Sequence, residues 1–261
     1  MRGRLGRRLS RWEEVSPLHW GVMGFLVLGS LLQEPGKTTF DTKFDLTADP
    51  IAMLGRSLHL WNSSQNFGGV GDQAYGYLFP QGPWFVLGHV LGSPDWITQR
   101  LWSAVVLLIA YTGARRLAYA LGIGARRGPI VVGLAYALSP RLFALAGVLS
   151  GEVLPTAVLP WICLPLVLGV QGRISPRRAG LLAGVAFLFV GGVNAVEDLA
   201  ILPLPLFIVL FGSRSGAGRR LTAWWAGATA AASCWWLLPL VVLGKYSPPF
   251  LDYVETSATT T

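Results

Sequence analysis

The chain has 261 residues, of which 52% are apolar and 13% charged, and its mean hydropathy is +0.51. This balance excludes an ordinary soluble domain and places the chain among integral membrane proteins. The net charge of +8 does not point to nucleic acid: the arginines flank apolar runs, where they act as topology determinants and lipid-headgroup contacts, and no aromatic-basic surface module is visible.

In chain order, residues 1–15 read as a basic cytoplasmic tail carrying Arg2, Arg4, Arg7, Arg8 and Arg11. The apolar run behind them reads as an uncleaved first span, 16–33, because Gln33-Glu34-Pro35-Gly36 is not a small-x-small cleavage site. Crossing roughly 30 Å of hydrocarbon at about 1.5 Å per residue selects six more spans. They are 96–117, 129–149, 154–171, 179–195, 197–213 and 221–244, with Asn194, Glu197 and Asp198 marking a tight polar turn.

Between spans the charges alternate. Arg115, Arg116, Arg126 and Arg127, then Arg173, Arg177 and Arg178, then Arg214, Arg219 and Arg220 occupy one set of gaps. Apart from Glu13 and Glu14, the acids occupy the other set. Short basic loops stay cytoplasmic, so the acidic gaps are expected outside, where the chemistry is also expected. The apolar stretch Tyr77 to Leu91 is not counted as a span, since crossing there would invert three basic loops. With Pro80, Pro83, Tyr77, Trp84 and Phe85, it reads as a helix lying on the outer surface. The fold class expected is therefore an all-α integral membrane protein, a polytopic helical bundle whose long first outer loop, 34–95, carries juxtamembrane helices. Residues 245–261 are expected to form a truncated outer segment.

Several residues read as structural. Cys163 and Cys234 lie inside apolar segments and are expected as small buried residues, not as a disulfide. His59 and His89 have no second ligand at metal spacing, so neither a metal nor a cofactor is expected. Trp61, Trp84, Trp96 and Trp102 fit an aromatic belt, with sugar stacking as the alternative.

The chemistry concentrates in the first outer loop. Asp41 and Asp45 are four residues apart, a spacing that places both on one face of a short helix. A partly desolvated carboxylate at a membrane surface gains a raised pKa and can act as general base on a sugar hydroxyl; the bland alternative is a solvated acidic turn with Lys43 as local partner.

The order of first span, acidic outer loop, Tyr77-Leu78-Phe79-Pro80-Gln81-Gly82-Pro83 and a span with Arg100 near its start resembles the membrane glycosyltransferases of the GT-C fold. The resemblance is closest to the mycobacterial α-(1→3)-arabinofuranosyltransferases of the AftD type. It is carried by Asp41-Thr42-Lys43-Phe44-Asp45-Leu46, Leu60-Trp61-Asn62 and Gln73-Ala74-Tyr75-Gly76 in the outer loop. Gln99-Arg100-Leu101-Trp102, Ala120-Leu121-Gly122-Ile123-Gly124, Ala137-Leu138-Ser139-Pro140-Arg141 and Ser247-Pro248-Pro249-Phe250-Leu251-Asp252 continue it.

The resemblance implies inverting transfer of an arabinofuranosyl unit from a polyprenyl-phosphate-arabinose donor to an arabinan acceptor at the outer, periplasmic face of the cell membrane. It implies Asp41 or Asp45 as base, with Asp41, nearer the span, preferred. Lys43 and Arg141 are candidates to neutralise the leaving phosphate, and Glu152 to line the site; the alternative for Arg141 is a snorkelling arginine at a Ser-Pro break. Glu197 and Asp198 read as structural. Such enzymes are longer, so the chain reads as a fragment, and an inactive fragment is one alternative. Another lipid-linked sugar such as mannose, or a transporter or flippase, are the others. Membrane lipid is the expected surrounding, and nucleic acid is not an expected partner.

Overall fold

The computed structural model describes residues 17–41, 43–63, 67–70, 73–124, 127–212 and 216–246. The basic tail, Thr42, Asp72, Arg126, Arg214 and the segment 247–261, including Ser247 to Asp252, lie outside them. Helices dominate. The first, α1 (Pro17–Leu31), is apolar on every side, as a helix between lipid and protein has to be. It leans on α5 (Asp95–Leu121), where His19 Nδ1 meets the Tyr111 hydroxyl at 2.9 Å.

Between these two helices the loop folds into short pieces: α2 (Asp45–Ala48), α3 (Pro50–Ser57), a two-stranded antiparallel ribbon of β1 (Trp61–Asn62) and β2 (Gly69–Val70), a 3₁₀ turn Gln73–Tyr77, and α4 (Gln81–Val90). Asp49 caps α3 by accepting from the Ala52 N–H at 3.0 Å, and Pro50 supplies the preset φ of a first helical residue. The Ser57 hydroxyl ties α3 to the 3₁₀ turn by donating to the Ala74 carbonyl at 2.8 Å. Helix α4 covers the predicted surface stretch and packs on the start of α5, where Trp84 Nε1 donates to the Thr98 carbonyl at 3.1 Å.

Helix α5 ends on Gly122 at φ 70, the left-handed position that terminates a helix without a Cβ penalty. Helices α6 (Gly128–Ala137) and α7 (Pro140–Leu145) then replace the single predicted span 129–149, because Ser139-Pro140 interrupts the hydrogen-bond ladder. Helix α8 (Ser150–Val170) follows, starting four residues before the predicted boundary of 154, so Glu152 lies in its first turn. Helix α9 (Pro176–Phe187) gives way to a 3₁₀ turn Leu188–Val190. The predicted polar turn at 194–198 is instead helix: Asn194 caps α10 (Ala195–Ala200) by accepting from the Val196 N–H at 3.1 Å, and Glu197 and Asp198 lie within it. Then come α11 (Pro203–Gly212) and α12 (Gly216–Tyr246).

Helix α8 is central, with α5, α9 and α11 packed around it, while α9 packs most extensively on α12. Among the described residues, four stretches are long and apolar enough to cross a membrane: Asp95–Leu121, Ser150–Val170, Ala195–Gly212 and Gly216–Tyr246; α1 and α6 are shorter apolar helices. Cys163 is buried as expected, whereas Cys234 is exposed on α12 and donates to the Ala230 carbonyl at 3.3 Å; both thiols are free.

The bundle has two chemically distinct ends. Gln171 Nε2 donates to the Ala120 carbonyl at 3.0 Å, and Arg177 lies over the Trp224 ring, so the ends of α5 and α8 and the starts of α9 and α12 share the arginine-rich end. The loop between α1 and α5 gathers at the other end with the starts of α5, α8 and α10.

Candidate functional site

The site is built around one serine. Ser150, fully buried at the N-terminus of α8, donates from its backbone N–H to Asp41 Oδ1 at 2.6 Å and from its hydroxyl to Asp41 Oδ2 at 2.5 Å. Its Oγ in turn accepts from Gln81 Nε2 at 2.8 Å and from Trp102 Nε1 at 2.9 Å. Four parts of the chain therefore converge: the first loop, α4, α5 and α8. A carboxylate at the exposed N–H groups of a helix start also meets the favourable end of the helix dipole.

The loop is brought there by a second set of bonds. Gln99 on α5 accepts from the Thr39 N–H and donates to the Thr39 carbonyl, both at 2.8 Å, and the Thr39 hydroxyl donates to the Gly147 carbonyl at 2.7 Å. Arg100, 3% exposed, donates to the Gln33 carbonyl at 3.0 Å and the Lys37 carbonyl at 3.3 Å. Held at Thr39 and Ser150, Asp41 adopts φ 38, a left-handed conformation that costs a non-glycine residue about 1–3 kcal/mol. It is 3% exposed. Burial raises its pKa above the ordinary carboxylate value, and the two Ser150 hydrogen bonds pull the other way.

Beside this cluster lies a cavity of about 350 Å³ lined by Lys43, Tyr75, Tyr77, Glu152, residues 192–196, Trp236 and Leu240. Lys43 stands two residues from Asp41, and Glu152 two residues from Ser150. Lys43 makes no ion pair among the described residues. Burial also raises the pKa of the Tyr75 phenol, which keeps it a neutral lining group. No group of three or more His, Cys, Asp or Glu side chains that could hold a metal ion occurs among the described residues.

The predicted site residues divide. Lys43 and Glu152 share the cavity, while Asp41 is held next to it by Ser150 and is not part of its lining. Asp41 and Asp45 do not share a helix face: Asp41 sits in a left-handed turn, and α2 begins only at Asp45. Asp45 is exposed and pairs with Arg56 at 2.5 Å. Arg141 pairs with Glu197 at 2.6 Å and is absent from the cavity lining. Ser150 is not among the residues that the sequence singles out; Gln81 enters there only within the Tyr77–Pro83 motif and Asn194 only as part of a polar turn. The available signal was polar residues beside helix starts, Gln81 after Pro80 and Ser150 ahead of an apolar run.

Residues 25–261 match a family described as "Alpha-(1->3)-arabinofuranosyltransferase, N-terminal GT-C domain". The chain is 44% identical over 247 residues to the α-(1→3)-arabinofuranosyltransferase of Mycobacterium tuberculosis, covering 92% of this chain and 17% of that protein. It is likewise 44% identical over 232 residues to the Mycolicibacterium smegmatis enzyme of the same name, covering 88% of this chain and 16% of that protein. It superposes on a cryo-EM structure of the arabinofuranosyltransferase AftD from mycobacteria with a TM-score of 0.84 at 42% identity, over 96% of this chain and 18% of that one. The chain thus spans about a sixth of the length of the curated relatives it matches. With both sequence and fold matched over nearly all of its length, the chain belongs to the N-terminal GT-C domain family of the α-(1→3)-arabinofuranosyltransferases.

Proposed function

We propose that this chain forms the membrane-embedded transfer site of an arabinofuranosyltransferase that moves an arabinofuranosyl unit from a polyprenyl phosphate to arabinan, with inversion, at the outer face of the cell membrane. The observation that carries the proposal is the pairing of a buried, doubly hydrogen-bonded carboxylate, Asp41, with an adjoining cavity that offers Lys43 and Glu152. In this reaction the acceptor oxygen bonds to the anomeric carbon as the bond from that carbon to the phosphate oxygen breaks. The phosphate leaves with the electron pair, and Asp41 takes the hydroxyl proton. An anionic leaving group needs positive charge and no acid, which is the role of Lys43. At 3% exposure Asp41 reaches a hydroxyl only when the chain around it moves aside on acceptor binding.

Asp41→Asn is expected to lower transfer from a labelled polyprenyl-phosphate arabinose by about 10²-fold or more. Transfer at the parent rate would remove the assignment. A second reading makes Glu152 the base, because it is the carboxylate that lines the cavity. Glu152→Gln abolishing transfer while Asp41→Asn spares it would select that reading. Offering the corresponding mannosyl carrier tests the sugar: equal transfer of mannose would refute arabinose specificity.

A further inference from the structure

We infer that Ser150 is a positioning residue for the proposed base: Gln81 and Trp102 fix the direction of its hydroxyl, and the hydroxyl and backbone N–H together hold Asp41 in one orientation with a donor on each carboxylate oxygen. The inference rests on the Asp41 reading above and adds the machinery behind it.

The argument is one of hydrogen-bond capacity. A serine hydroxyl has one proton and two lone pairs. Trp102 Nε1, which can only donate, and Gln81 Nε2 occupy the acceptor side of Ser150 Oγ at 2.9 and 2.8 Å. The hydroxyl proton is thereby left a single direction, to Asp41 Oδ2, while the backbone N–H takes Oδ1. Both carboxylate oxygens are approached by donors, an arrangement that favours the charged form against the burial that disfavours it. Each oxygen keeps a lone pair, so one further hydroxyl can still donate to the group and lose its proton there.

A structural acid at a loop does not require this. Asp41 is held at a left-handed φ of 38 and makes no salt bridge among the described residues, a costly state maintained by two bonds from Ser150 on α8, which Gln81 on α4 and Trp102 on α5 bond in turn. The charged groups nearby are Lys43 on its own loop, Arg100 on α5, engaged with the Gln33 and Lys37 carbonyls, and Glu152 on α8. Removing the Ser150 hydroxyl leaves all three in place, so a change in the Asp41 titration reports the hydroxyl.

The test uses the full chain in detergent with 13C-labelled aspartate carboxyls, the Asp41 signal being identified by its loss in Asp41→Asn. Ser150→Ala is expected to raise the apparent pKa of Asp41 by about one unit or more. Trp102→Phe is expected to raise it by less, and Ser150→Thr to restore the parent titration. Should Ser150→Ala not fold, Trp102→Phe carries the comparison. An Asp41 signal that titrates identically in the parent, Ser150→Ala and Trp102→Phe would overturn the inference. Transfer activity in Asp41→Asn would instead defeat the base assignment and leave the titration result standing, so the two ideas fail separately.

Discussion

Asp41 is an energetically demanding residue: a carboxylate 3% exposed, at positive φ, and without a salt bridge among the described residues. Its folded pKa is raised by burial, so the folded state binds the Asp41 proton more tightly than the unfolded state does. Stability from this group is therefore greatest at acid pH and falls as pH rises through the raised pKa. The proposed base has the opposite need, since a general base works only when ionised. Transfer is expected to fall on acidification at a pH above the ordinary carboxylate range while the stability that Asp41 itself contributes rises, a divergence that pH-rate profiles and thermal unfolding of the parent against Asp41→Asn would check. Parallel pH dependences of the two would contradict it. Arg100 makes a second residue-scale case. Arg100→Met leaves the Gln33 and Lys37 carbonyls without their donor, costing about 1 kcal/mol, and hydrogen exchange over residues 33–41 should rise well above that of α8. The sequence made Asp41 and Lys43 legible because they form one local motif. Ser150 was not legible, because its partners lie 109, 69 and 48 residues away and local spacing carries no trace of them.

At the scale of elements, proline explains both what was legible and what was not. Hydropathy located the apolar helices α1, α5, α8, α9 and α12, but Ser139-Pro140 and Pro203 break helices that composition alone joins. Helix α8 behaves differently and continues through Pro155, Pro160 and Pro165. Proline removes the N–H that the carbonyl four residues earlier would accept, so Pro160 orphans the Thr156 carbonyl. The Tyr136 hydroxyl on α6 donates to that carbonyl at 2.7 Å, a repair from a neighbouring helix of the kind membrane helices use. Tyr136→Phe is expected to destabilise the bundle by about 1–2 kcal/mol, read as a lower midpoint of detergent-mediated unfolding. The packing of α9 on α12 is equally specific. A Cβ on Gly184 would lie 2.5 Å from the Ala228 Cβ, and one on Gly180 2.6 Å from the Trp225 backbone nitrogen. These paired glycines let the two backbones approach closely. Gly184→Val should therefore separate the helices, and engineered disulfide cross-linking between α9 and α12 should drop markedly against the parent; undiminished cross-linking would show that the contact tolerates the side chain.

For the molecule as a whole, the separation of charge along the sequence becomes a separation between two ends of a helical bundle. Arg116, Arg173, Arg177 and Arg219 cluster toward the end shared by the termini of α5 and α8, and Glu34, Asp95, Glu152 and Glu197 toward the end that carries the loop and the cavity. Three bases at the acidic end are each engaged with a carboxylate: Lys37 with Glu34, Arg56 with Asp45, and Arg141 with Glu197. They therefore add little net charge there, and the asymmetry survives folding. Short basic loops resist translocation because moving arginine through hydrocarbon costs several kcal/mol, and the proposed outer-face site accordingly puts the arginine-rich end in the cytoplasm and the cavity outside. Glu34 and Arg173 are both exposed and lie at opposite ends, which makes them a matched pair of probes. With Cys234 replaced by serine, Glu34→Cys should react with a membrane-impermeant maleimide added to intact cells, and Arg173→Cys only after the membrane is opened. The reverse pattern would place Asp41, Lys43 and Glu152 on the cytoplasmic side and would defeat the outer-face proposal even if every hydrogen bond of the site were correct.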